Sequence, residues 1–214
     1  MSKDHITLIR ETGVVPVVAI PDAELAVDLA HALLAGGVRV IEMTLRTEAG
    51  LESMRKIAEK VPDMLVGAGT LLSVSQLKAS FDAGAVFGVA PGCDPDLVQA
   101  ANECGLTYAP GVMTPTDIAK ALGLGCRLLK YFPAETAGGA PHLKALIAPH
   151  AHLGVQFIPT GGISLANMGN YLKLPAVPAV GGSWLTPKTL LEERDWSAIT
   201  KIAKEAREAV EASR

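Results

Sequence analysis

Eight short runs rich in β-branched and small apolar residues recur along this 214-residue chain, and each is followed by a segment with helical spacing. The predicted strands are Val14–Ile20, Arg39–Leu45, Met64–Thr70, Ala85–Pro91, Thr107–Pro110, Arg127–Pro133, Gln156–Thr160 and Pro178–Gly182. Such alternation commits a chain to parallel strands joined by helical crossovers. The runs are almost continuously apolar, as strands covered by helices are. Several helix starts are marked: Ser73 and Gln76 have capping-box spacing, and Asp94-Pro95 and Thr114-Pro115 put a cap residue before proline. Leu25, Leu29 and Leu33 form one apolar stripe and Leu51, Met54 and Ala58 another, while Gly36-Gly37 has the form of a helix end.

Two α/β architectures use this alternation. Eight units is the number that closes a (β/α)₈ barrel, and no GxGxxG follows the first strand as it would in a dinucleotide-binding open sheet. The expectation is therefore a single barrel domain over residues 1–214, short of the typical length of roughly 250. Residues 2–12 are expected to form an extra helix plugging its N-terminal end.

Formal charge is −3, which leaves no basic surface for nucleic acid or acidic membranes. No run of about 18 apolar residues and no signal-peptide pattern is seen, so membrane association is not expected. Cys93, Cys104 and Cys126 are odd in number and lack CxxC spacing, which fits reduced thiols in the cytoplasm.

In a barrel, chemistry sits at the C-terminal ends of the strands. Lys130 is the only lysine in a predicted strand and Glu42 the only carboxylate. A lysine enclosed by Leu, Phe and Pro is desolvated, which disfavours its ammonium form and supplies the amine that attacks a ketone. The plainer reading is a structural ion pair, which seldom adds stability when buried. Glu42, Thr44 and Arg46 share one strand face, so Arg46 stands nearer the mouth, where a guanidinium holds a carboxylate or is simply solvated. Thr70 ends the third strand as a hydroxyl contact or a helix cap. Gly161, Gly162 and Ser183 leave the last two strands, where barrel enzymes often bind phosphate; Ser164 is expected to cap the helix that follows. His150 and His152 fall at the opposite end, and no ligand cluster is seen, so neither a metal nor another cofactor is expected. Cys93 has no histidine to activate it and is read as structural.

The segments Ile41-Glu-Met-Thr-Leu-Arg46, Val66-Gly-Ala-Gly-Thr70, Leu129-Lys-Tyr-Phe-Pro-Ala-Glu135 and Pro159-Thr-Gly-Gly-Ile163 resemble those of the bacterial 2-keto-3-deoxy-6-phosphogluconate (KDPG) and 4-hydroxy-2-oxoglutarate aldolases. The likeness runs from the first strand to Ser183. It implies a class I aldolase, a carbon–carbon lyase, with Lys130 forming the Schiff base and Glu42 moving protons. It further implies carboxylate contacts from Arg46 and Thr70 with Pro91 beside them, pocket walls from Phe132 and Thr160, phosphate contacts from Gly161, Gly162 and Ser183, and a homotrimer. The substrate would be small: KDPG, cleaved to pyruvate and glyceraldehyde 3-phosphate, and in some members 4-hydroxy-2-oxoglutarate.

Three rivals stand beside this reading. One is an aldolase for the phosphogalactonate epimer, since C4 stereochemistry depends on fine placement. A phosphosugar isomerase has no use for a buried strand lysine, and a non-catalytic phosphosugar-binding barrel predicts binding without an imine.

Overall fold

The computed structural model describes the backbone of residues 3–214 and the side chains of residues 5–214. Nine strands are all parallel: β1 (Val14–Val18), β2 (Val40–Thr44), β3 (Leu65–Gly69), β4 (Phe87–Val89), β5 (Thr107–Ala109), β6 (Gly111–Val112), β7 (Leu128–Tyr131), β8 (Gln156–Pro159) and β9 (Val180–Gly182). They form a curled six-stranded sheet in the order β5-β4-β3-β2-β1-β9 and a three-stranded sheet β6-β7-β8. The Thr160–Gly181 bridge joins the second sheet to the first, and the β6–β7 ladder continues to Pro110, whose carbonyl accepts from the Lys130 N–H at 2.8 Å.

The fifth predicted strand, Thr107–Pro110, is β5 as far as Ala109, and beyond Pro110 the chain continues as β6, past the predicted end. Proline has no N–H for a ladder, and the chain changes partner there: β5 pairs with β4 and β6 with β7.

The helices are α1 (Lys3–Thr12), α2 (Ala26–Ala35), α3 (Gly50–Lys60), α4 (Val74–Asp82), α5 (Pro95–Cys104), α6 (Pro115–Gly123), α7 (Gly139–Ile147), α8 (Met168–Leu172), α9 (Lys188–Glu193) and α10 (Trp196–Ser213). Residue 2 of the expected N-terminal helix lies outside the described residues. Strand periodicity sorts side chains into two cores. Ile41, Met43, Val66, Leu129, Tyr131 and Phe157 belong to the large cluster beneath the helices. Their strand neighbours Val15, Val40, Phe87, Val89, Leu128 and Ile158 form a smaller inner cluster, into which α1 sends Ile9. The inner cluster fills the N-terminal part of the curled sheets, so the polar site lies toward the strands' C-terminal ends.

Cap chemistry agrees with most of the predicted helix starts. Ser73 accepts from the Gln76 N–H, but the Gln76 amide reaches Leu72 instead of closing the box. Thr114 and Asp117 make the full reciprocal box. Gly36 is the C-cap of α2, with Gly37 at φ +82°.

Candidate active site

The nine strands hold two charged residues, and they meet. Glu42 and Lys130, in β2 and β7, are 3% and 6% exposed. The Lys130 Nζ lies 3.0 Å from Oε1 and 3.4 Å from Oε2 of Glu42, and 5.7 Å from the centroid of the Phe132 ring. Both side chains follow the inward parity of Val40 and Leu128, as the period of two requires. The carboxylate fits because of a glycine on the neighbouring strand: a Cβ at Gly69 would stand 2.1 Å from Glu42 Oε1. The lysine therefore has a carboxylate partner as well as the apolar surroundings expected from sequence.

Thr44, fully buried, donates its hydroxyl proton to the Val18 carbonyl at 2.8 Å. Its oxygen accepts from Arg46 Nε at 3.3 Å, leaving the end of the guanidinium fork on the exposed rim. Thr70 is not a helix cap; that position belongs to Ser73. Instead it has φ +61°, a conformation costly for a β-branched residue, at the lip of the site.

At the other side, Gly161 and Gly162 have φ +102° and +77°. The turn packs closely against the chain after β7: a Cβ at Gly162 would be 2.7 Å from Glu135 Cβ. The Tyr171 hydroxyl, buried beneath, donates to Glu135 Oε1. Burial and this carboxylate push the Tyr171 phenol far above its usual range. Ser164 does not cap the next helix as expected. Two further turn residues follow it, α8 begins at Met168, and Asn167 is its N-cap. Ser183 opens a single 3₁₀ turn, Ser183–Leu185.

Every residue named from sequence as catalytic or binding lines one cavity of about 260 Å³: Glu42, Arg46, Thr70, Pro91, Lys130, Phe132, Thr160, Gly161, Gly162 and Ser183. Val17, Ile163 and Gly182 complete the lining and went unnoticed. Val17 was legible as an inward residue of β1, two beyond Val15. Gly69 gave no signal because it acts on Glu42 and not on the cavity, and Thr44 was placed on the right strand face without its contact to Arg46. His150 donates its Nδ1–H to the Leu146 carbonyl at 2.7 Å from a 3₁₀ segment far along the chain. Among the described residues no three of His, Cys, Asp and Glu gather as metal ligands would. Burial pushes the Cys93 thiol up, away from reactive thiolate.

Strand polarity and cavity define a parallel α/β protein whose site couples a buried amine to a carboxylate, between a guanidinium and a glycine turn. The family model for KDPG and KHG aldolase matches residues 6–202, and the chain belongs to that family. The KHG/KDPG aldolase of Escherichia coli K12 is 46% identical over 199 residues, covering 92% of both chains. A crystal structure of KDPG aldolase from Legionella pneumophila, with pyruvate captured at low pH as a covalent carbinolamine, superposes with a TM-score of 0.88 at 38% identity, over 93% of this chain and 96% of that one. The Zymomonas mobilis ZM4 KDPG aldolase with 3-phosphoglycerate gives 0.88 at 39% identity, covering 96% of each.

Proposed function

We propose that this chain is a class I aldolase that cleaves KDPG reversibly to pyruvate and glyceraldehyde 3-phosphate, with Lys130 as the imine-forming residue and Glu42 as its proton carrier. The observation that carries the reading is the 3.0 Å contact between Lys130 Nζ and Glu42 Oε1 on the wall of an open cavity. A purely structural ion pair explains neither the opening beside it nor the anion-suited groups on either side. The covalent carbinolamine in the Legionella relative supports the same chemistry.

Transfer of a proton from the Lys130 ammonium to Glu42 frees the amine, which attacks C2 of the keto acid. Glu42 returns the proton to the C2 hydroxyl, which leaves as water and gives the iminium. Arg46 and Thr70, beside Pro91, hold the C1 carboxylate. Glu42, directly or through a water, then takes the C4 hydroxyl proton while the C3–C4 electron pair moves into the iminium. Glyceraldehyde 3-phosphate departs, the enamine is protonated at C3, and hydrolysis returns pyruvate and the amine. Phe132 and Thr160 shape the middle of the cavity. The backbone of Gly161 and Gly162, with Ser183, receives the phosphate; backbone N–H groups and not a helix end supply the donors.

The same machinery extends to 4-hydroxy-2-oxoglutarate, split to pyruvate and glyoxylate, because its keto-acid end makes the same demands. For the fold, we read the nine strands as an eight-stranded closed barrel, with β5 and β6 as one strand broken at Pro110 and α1 plugging the N-terminal end. The β1–β9 ladder, the Thr160–Gly181 bridge and the inner cluster around Ile9 support that reading. We further read residues 1–214 as one domain of a cytoplasmic homotrimer. Three free cysteines and exposed Leu72, Met113 and Phe81 support that assignment, and no helix among the described residues is long and apolar enough to cross a membrane.

The test is borohydride reduction in the presence of pyruvate, followed by intact mass and peptide mapping. A single adduct on the peptide containing Lys130 is expected, and its absence, or its appearance elsewhere, overturns the mechanism. Glu42→Gln should slow KDPG cleavage by roughly 10²–10⁴-fold, the usual weight of positioned proton transfer, while pyruvate still binds.

A further inference from the structure

Three successive carbonyls of the glycine turn are held from behind. Thr160 O accepts from the Ala134 N–H at 2.8 Å, and Gly161 O from the Glu135 N–H at 3.0 Å. The third, Gly162 O, is held by a side chain: Asn167 Nδ2 donates to it at 3.0 Å. The other half of the same amide, Oδ1, accepts from the Ser164 N–H at 2.8 Å. Among the described residues, no protein acceptor takes the N–H of Gly162 or Ile163, while that of Gly161 belongs to the bridge with Gly181.

These facts are connected by peptide planarity. In a trans peptide the C=O of one residue and the N–H of the next point in opposite directions. Drawing the carbonyls of Gly161 and Gly162 back onto Glu135 and Asn167 therefore turns the N–H groups of Gly162 and Ile163 the other way, and both residues line the cavity. Successive backbone N–H groups converging in this way form an anion-binding concavity. Two of the three peptides are fixed by backbone, which almost any sequence supplies. The Gly162–Ile163 peptide depends on Asn167. That side chain makes no capping bond to α8, although Asn167 is its N-cap residue; it is turned back onto the turn instead.

We propose that Asn167 is a positioning residue for the phosphate end of the cavity: its amide locks the Gly162–Ile163 peptide so that the Ile163 N–H faces the substrate phosphate. This rests on the phosphate reading given above. Asn167 touches no substrate, and no other side chain takes its place, since glycine at 161 and 162 leaves the turn with little stiffness of its own.

The experiment runs the reaction in the direction of aldol addition, pyruvate with glyceraldehyde 3-phosphate against pyruvate with unphosphorylated glyceraldehyde. It compares the wild type with Asn167→Ala and Asn167→Asp. In Asn167→Ala, KM for glyceraldehyde 3-phosphate should rise roughly fivefold to tenfold, the weight of one hydrogen bond, with kcat and the glyceraldehyde kinetics moving less than twofold. Asn167→Asp keeps the acceptor for Ser164 but has no donor for Gly162 O, so its KM should rise at least as far. If both variants keep the wild-type preference for the phosphorylated aldehyde, or lose rate on both aldehydes alike, Asn167 merely stabilises a turn and the inference fails. If the wild type itself shows no preference for the phosphate, it is the phosphate reading that fails.

Discussion

Gly69 is the residue on which the geometry of the amine–carboxylate pair turns. Its backbone is ordinary extended strand, so alanine fits its dihedral angles. The obstacle is space: the added Cβ would come within 2.1 Å of Glu42 Oε1 and 2.7 Å of both Cγ and Cδ. Glu42 has little room to yield, being 3% exposed and already bonded to Lys130. Gly69→Ala should therefore shift the carboxylate off the amine and lower kcat by about 10²-fold or more, the lower bound for misplaced proton transfer. Its thermal midpoint should move far less than its rate, and an unchanged kcat would show that the pair tolerates a different spacing. Sequence made Glu42 and Lys130 legible because a charge inside an apolar strand is conspicuous on its own. Gly69 was not legible, because its contribution is room for a neighbour one strand away. The same holds for Thr44, whose hydroxyl is written in the sequence while its contact with Arg46 is not.

At the scale of elements, strands and helix starts followed from local chemistry, and the departures have local causes. Strand five breaks at Pro110 because the ladder needs an N–H that proline lacks. The helix after β8 starts late: residues 165–167 are turn, and the side chain that acts across it is Asn167, accepting from the Ser164 N–H. The α6 start is stronger than its sequence promised, and it is charged. Burial alone would raise the Asp117 carboxyl, but hydrogen bonds from the Met113 N–H and from Thr114, with Lys120 nearby, hold it below the ordinary carboxylate range. A depressed folded-state value means the charge stabilises the fold above the unfolded value near 3.8, and that this part is lost as pH falls through the lower folded value. Comparing thermal midpoints of wild type and Asp117→Asn should show a wild-type advantage at neutral pH that narrows below about pH 4. A constant difference across that range would mean the carboxylate's charge contributes nothing to the cap.

The whole molecule depends on a clasp that periodicity could not reveal, because it joins the two ends of the chain. Helix α10 lies across the C-terminal end of α2, where a Cβ at Gly36 would meet Ala203 Cβ at 2.4 Å and Thr200 donates to the Ala32 carbonyl at 2.9 Å. Further along, the Arg207 guanidinium bonds the carbonyls of Glu11 and Thr12, the first at 2.7 Å, tying α10 to the end of α1 just before β1. Val210 fills the space left by Gly13. Arg207 and Val210 lie beyond residue 202, where the match to the family model ends, and neither lines the cavity. The clasp should thus serve stability and not chemistry. Arg207→Leu keeps an apolar stem but leaves two carbonyls without their charged donor, a loss of about 1–3 kcal/mol. In a chain of this size that corresponds to a fall in Tm of roughly 2–12 °C, at about 2–4 °C per kcal/mol. Steady-state kcat and KM at 25 °C should stay at wild-type values, since neither Arg207 nor its partners Glu11 and Thr12 line the cavity. A variant that kept its Tm would show the contacts to be solvent-equivalent. One that lost kcat while still folded would show instead that closure at the chain ends reaches the cavity through β1, whose Val17 lines it.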